Sequence, residues 1–568
     1  MYSAKPHAAG LSLRPESLVM DLERLGRQFP SRLSFMRVLI RTMSAESWRI
    51  EREFFELDDD GAGSAVYRIE TPNQDYRMVL FAHHLDPSMR SDRVIAERWD
   101  VTAALCVGPV DAQRRKFLAS QVPLQEAGRL DSACLVMTRA NRSSRQFDRV
   151  VASLARGDQP GAHHLAEVGY LYRTTAVYGS GKFGMSEWRQ VRACHPDLAR
   201  PFAAEMLSCY LLRHFGFDQV EHLARRAAPE TACALDPEVR RSLGIGNATG
   251  LGMAPFLINH PLLIGQWVLQ RETALARILE DTAPKEDKQA RVRAVLARAA
   301  DHLDEIEIAN PEQTESNRTA AAEIRAMLHW LRENAKGLAW FEAIEHAARQ
   351  AGLEAQQVLE SALLEAYPER VDDLADNMAV EEDFQLTPAM RGSALLELIE
   401  TRYAWALDYD FEAPEATAVF WYQSAEKLEP RLGVRGVDSG EDREMRLGLA
   451  REMAACREAL VETLETSGDV TTAEFVLRYP QWRYLVRRMQ TLASSVYGEI
   501  QANLLDADVL PLHLLRCKLA FMGVTKFDPR SKLWVRNTMF QGAPLADELN
   551  PHCQDDWSFP VLRLKGTA

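Results

Sequence analysis

The sequence predicts a mainly α-helical α+β protein, a large helical body carrying a small antiparallel sheet near the N-terminus. Two patterns predict it. Across residues 163–475, Leu, Ala, Glu and Arg dominate, and apolar side chains recur three and four positions apart, the spacing of one helix face. Across residues 48–85 the period drops to two, with Trp48, Ile50 and Phe54 on one face. The segments DDDGAGS and TPNQD there supply the residues that tight turns require.

The elements follow in order. Residues 14–46 read as helices broken at Pro30. Arg32, Arg37 and Arg41 alternate there with Leu33, Met36, Leu39 and Ile40, the pattern of an amphipathic helix docked on its own domain or laid on a membrane surface. Three strands of a meander follow, up to the segment YRMVLFAH. Residues 88–106 are expected as a helix, 133–138 as a strand and 147–156 as a helix. Residues 320–350 form the clearest long helical segment, interrupted at Gly337, while the polar stretches 281–287 and 310–317 separate helices. Near the end, LWVRNTMF reads as a strand. At 568 residues the chain exceeds the roughly 250–300 that one hydrophobic core serves, so several units are expected. The expected units are N-terminal helices (1–47), an α+β unit with the meander (48–160), the helical body (161–475), and C-terminal helices with a short strand region (476–568).

Composition bounds the function. The net charge is −14, with 81 acidic against 67 basic side chains, which disfavours nucleic acid as the main partner. No apolar run reaches the ~18 residues of a spanning helix, and the N-terminus lacks the apolar core of a signal peptide, so a soluble, cytoplasmic protein is expected. The eight cysteines contain no CxxC pair and read as reduced, mostly core residues.

Two glycine-rich segments carry the chemistry the sequence offers. LGIGNATGLGMAP (243–255) holds Gly244, Gly246, Asn247, Thr249 and Gly250 ahead of an apolar run, and reads as a glycine turn at a helix start, where N–H groups converge on a phosphate or carboxylate. The preceding ALDPEVRRSL is no buried strand, which removes most of a dinucleotide-fold reading. YGSGKFGM (178–185) places Lys182 beside Gly181, with Arg173 a little upstream. It lacks the Walker A glycine spacing, and Phe183 stands where Ser or Thr is needed. Farther on, His260 is the one proton-transfer group near the first segment. For each segment the bland alternative is a tight structural connection. Asp372, Asp373 and Asp376 spell DDxxD, but in a polar context with no second metal motif.

Three strands, a helix, then a strand and a helix resemble the small lobe of protein-kinase-like enzymes. That resemblance implies a kinase-like shell without catalysis: no lysine on the third strand faces Glu97, Arg77 is the nearest cation, and no HRD or DFG segment exists. The segments TTAVYGSGKFGMSEW, LGIGNATGLGMAPFLINHP and FWYQSAEKLEPRLG resemble a bacterial protein family of no assigned activity, which implies a bacterial cytoplasmic protein and nothing about mechanism. The functional expectation is an enzyme or binding protein for a small anionic metabolite, with Lys182 and His260 as its catalytic side chains and Gly181, Gly244, Gly246, Asn247, Thr249, Gly250 and Arg173 as its binding residues. The alternative is a non-catalytic helical interaction or regulatory protein. The sequence names no cofactor, metal or oligomeric state.

Overall fold

A computed structural model describes residues 11–86, 98–123, 131–174, 193–250, 261–281, 284–334, 338–378, 380, 384–410, 449–498, 516–517, 520–530, 534–553 and 556–561. The chain divides into two compact units, each assembled from separate stretches of sequence. One comprises residues 1–28, 251–277 and 377–518. The other comprises residues 29–250, 278–376 and 519–568.

The first unit is helical throughout its described residues. Helices Gly392–Arg402, Leu449–Ser467, Thr472–Arg478 and Arg483–Ala493 enclose Leu395, Ile399, Leu460, Phe475, Val486 and Met489. Thr471 caps its helix, accepting from the Glu474 N–H while the Glu474 carboxylate accepts from Thr471, a reciprocal pair that holds the first turn. Arg14 clamps Glu272 with two bonds of 2.6 and 2.7 Å.

The second unit holds the sheet. Among the described residues it has nine strands: β1 (Arg49–Leu57), β2 (Gly63–Glu70), β3 (Asp75–Ala82), β4 (Val101–Val107), β5 (Cys134–Arg142), β6 (Tyr170–Thr174), β7 (Gly244–Gly250), β8 (Lys526–Pro529) and β9 (Trp534–Met539). Their order is β1-β2-β3-β4-β5-β6-β7-β9-β8, antiparallel everywhere except between β6 and β7, which run parallel. The fold is α+β as expected, but the sheet is neither small, purely antiparallel nor confined to the N-terminal region. Two further expectations are corrected with it. Residues 101–106 lie in β4 rather than a helix, because VTAALCV is buried over most of its length and shows no alternation that marks a strand. Residues 163–475 contain β6 and β7 among their helices.

β6 and β7 are joined by a crossover containing the Ala203–Ala227 helix, the connection parallel strands require. That helix packs on β4, β5, β6 and β7. It is buried along most of its length, and polar Glu205, Arg213, Gln219 and Glu221 are buried with its apolar residues. Its Arg213 is fully buried and has no carboxylate partner among the described residues. Instead it donates to the carbonyls of Leu243 (2.6 Å), Arg240 (2.9 Å), Ala543 (3.2 Å) and Pro544 (3.4 Å), tying the approach to β7 to the stretch after β9. Burial lowers its pKa to about 10, still charged at neutral pH.

The arginine-bearing N-terminal helix, Phe35–Ala45, docks within this unit. Arg37 and Glu365 form a buried pair at 2.8 Å, and Arg32 holds Asp372 at 2.5 and 2.8 Å. The stretch 310–317, expected to separate helices, instead opens the helix Pro311–Glu333. Asn310 is its cap, accepting from the Gln313 N–H at 2.8 Å, and Pro311 takes the first helical position. No helix among the described residues is long and apolar enough to cross a membrane.

Candidate functional site

Residues 244–250, expected as a glycine turn opening a helix, form strand β7. Glycine hides the period of a strand because it has no side chain to alternate. The glycines answer crowding. A Cβ on Gly244 would meet the Met539 carbonyl and lie 2.8 Å from Thr538 Cγ2, and one on Gly246 would lie 2.6 Å from the Tyr170 ring. β6 and β9 flank β7, and the Gly244 N–H donates to the Gly169 carbonyl at 2.8 Å. These N–H groups serve a ladder and do not converge on a point. A ligand role for Gly244, Gly246 or Gly250 has to rest on something other than a turn.

The parallel pair nevertheless gathers part of the predicted set. Arg173 in β6 is in register with Gly246, and Asn247 of β7 donates from Nδ2 to the Thr174 carbonyl at 2.9 Å. Thr249 and Gly250 end β7, with only their backbone described. Gly181, Lys182 and His260 lie outside the described residues. Both strand ends, Thr174 and Gly250, point the chain the same way. In open sheets with parallel strands, that carboxyl end is where ligands are usually taken up.

On the face covered by the Ala203–Ala227 helix, a polar seam crosses four neighbouring strands. Thr138 of β5 and Thr174 of β6 share a hydroxyl bond of 2.8 Å. Asn247 of β7 reaches Thr174, and Asn537 of β9 sits directly opposite Asn247, so the two share a face. The helix contributes Cys209, within hydrogen-bonding reach of Thr174, and Glu205 one turn earlier. Arg173 precedes Thr174 and so lies on the opposite face of the sheet.

Two members of the seam stand out. Asn537 is 1% exposed, and neither its Oδ1 nor its Nδ2 has a partner. Glu205 is 6% exposed, and beyond its own backbone N–H nothing among the described residues bonds to its carboxyl. The contrast with the unit's other buried acids is sharp. Glu365 has Arg37, Asp528 has Arg530 (3.2 Å) and Arg536 (3.0 Å), Glu221 has Arg225 (2.8 Å) and Arg240, and Asp100 accepts the Arg142 N–H at 2.9 Å. Desolvation pushes the Glu205 pKa up from the ordinary 4.5 to about 7. Burial, with Glu205 adding to it, also pushes the Cys209 thiol well up, so Cys209 is a neutral neighbour and no nucleophile.

Glu205 was not legible as a site residue from its position in the first helical turn, where a glutamate usually faces water. The signal that could have found it is its setting, FAAEMLSCYLL, where apolar residues surround one acid. Of the other sequence motifs, DDxxD is spent on arginines: Asp372 pairs with Arg32 and with Arg41 (3.5 Å), and Asp376 with Arg200 (2.6 Å). No group of three metal-ligating side chains occurs among the described residues. Arg77 pairs with Glu53 of β1 at 3.1 Å. No family model, curated protein or solved structure matches this chain.

Proposed function

We propose that the protein is an enzyme or binding protein for a small metabolite bearing a carboxylate or phosphate, taken up at the carboxyl end of β6 and β7, with Glu205 as its proton-transfer group. The observation that carries this reading is the unpaired, buried Glu205 carboxyl beside a polar seam. A carboxyl with a pKa near 7 is half protonated at neutral pH, the condition in which it gives or takes a proton most readily. Glu365, Glu221 and Asp528 are each neutralised by an arginine, whereas no lysine or arginine among the described residues pairs with Glu205. Arg173 lies on the other face of the sheet from the seam, so the anionic part of the ligand falls to the Asn537 amide and to Lys182, a short way beyond β6 in the sequence. Asn247 and Asn537 orient the ligand through their amides.

A thermal-shift screen of phosphorylated and carboxylated metabolites against the full chain tests the proposal. A ligand at one hundred times its Kd adds about 2.7 kcal/mol to stability, a clear rise in Tm. That rise should shrink in Lys182→Ala and in Asn537→Leu. A panel without a single shift favours the interaction-protein alternative, and undiminished binding in both variants places the ligand elsewhere.

A further inference from the structure

We infer that the group meeting Glu205 in the occupied protein is a protonated amine, so the ligands are amine-bearing anions: amino acids or aminoalkyl phosphates. This rests on the function proposed above and narrows it.

The argument begins with charge. A carboxylate taken out of water needs a partner, and unpaired burial costs several kcal/mol. In this unit the partner is usually arginine, as at Glu365, Asp528 and Glu221. Beside Glu205 lies the neutral Cys209 thiol, which reaches Thr174; the Thr174 hydroxyl bonds Thr138, its carbonyl accepts from Asn247, and Asn247 faces Asn537, so the described seam leading from Glu205 is neutral. Among the described residues neither a lysine nor an arginine ion-pairs with Glu205. A ligand amine fills that place: its N–H groups donate to the carboxylate and its charge balances it.

The second observation is Asn537. An amide buried with both polar atoms unpartnered among the described residues leaves a donor and an acceptor unsatisfied, each at the cost of its lost hydration. Its Nδ2 suits a carboxylate or phosphate oxygen and its Oδ1 suits an N–H. A zwitterion carries both. A ligand with only an anionic group answers Nδ2 and leaves Oδ1 and Glu205 unmet.

Matched pairs of compounds decide the matter on the full-length protein. L-amino acids and aminoalkyl phosphates are compared, by thermal shift and titration calorimetry, with carboxylic acids and alkyl phosphates of the same carbon skeleton. At least one amine-bearing member should bind tenfold or more tightly than its des-amino counterpart. Glu205→Gln should remove that tenfold preference, and Glu205→Asp should restore part of it. Equal binding of both members, or an amine preference untouched in Glu205→Gln, overturns the inference. Des-amino anions that bind alone and lose affinity in Asn537→Leu overturn it while the broader reading stands. No binding by any compound overturns both.

Discussion

Glu205 is the buried acid on which the proposed function rests. Its carboxyl has a pKa of about 7 when folded and near 4.5 when the chain is unfolded. Folding therefore favours the protonated form. Stability from this group is fully present below about pH 4.5 and is lost as the pH rises through 7. That difference is worth about 3 kcal/mol at most, and residual access to water makes about 2 kcal/mol the working figure. Glu205→Gln keeps the shape without the charge. It should therefore be more stable than wild type by about 2–3 kcal/mol at pH 8 and by less than about 1 kcal/mol at pH 5. Urea unfolding at the two pH values measures this, and an offset that does not change with pH would show that Glu205 does not titrate in that range. At this scale the sequence was only partly legible. Asn247 was picked out by its glycine context and does join the seam. Glu205 and Asn537 were passed over because nothing local marks a side chain as unpartnered. That property depends on what distant strands and a helix bring, or fail to bring, to its neighbourhood.

Legibility at the level of elements followed side-chain contrast. β1, β2 and β3 were readable because polar and apolar residues alternate between turns rich in Gly, Asp and Pro. β4 has no such contrast, since its residues are buried over most of its length, and β7 has almost no side chains to contrast. The same glycines that hid β7 make it sensitive to substitution. In Gly246→Ala the new methyl would lie 2.6 Å from the ring of Tyr170, itself 4% exposed and unable to swing into open space. The expected cost is about 1–3 kcal/mol of overpacking strain. Because the clash is with one ring, Tyr170→Ala should cost less in the Gly246→Ala background than in wild type. A double-mutant cycle by chemical unfolding reads this coupling. Additive costs would mean that the two positions do not meet, and a neutral Gly246→Ala would return the glycines to the ligand-binding role the sequence first offered.

The sheet-bearing unit draws its strands from residues 49 to 539, and this long-range assembly has a consequence for folding. β7 pairs with β6 over a short parallel stretch, but with β9 from Ile245 to Gly250 without a break. Arg213, at the same time, satisfies its donors on carbonyls of Ala543 and Pro544. Both sets of bonds need the last fifty residues, 519–568, which belong to this unit. Ending the chain at residue 518 would expose β7 as a glycine-rich edge and leave a buried arginine with fewer acceptors, each lost one costing about 1–3 kcal/mol. β1 to β4 pair only with one another and with β5, through contacts close in sequence, and keep those partners. The truncated chain should therefore retain slow amide exchange in β1–β4 and lose it across β7. Because Asn537 goes with β9, the truncated chain should also lose the thermal shift with any ligand found for the full chain. Hydrogen exchange read by mass spectrometry distinguishes the outcomes. Uniform loss of protection would show that the meander has no stability of its own, and intact protection in β7 would show that β6 and the helix hold it without β9.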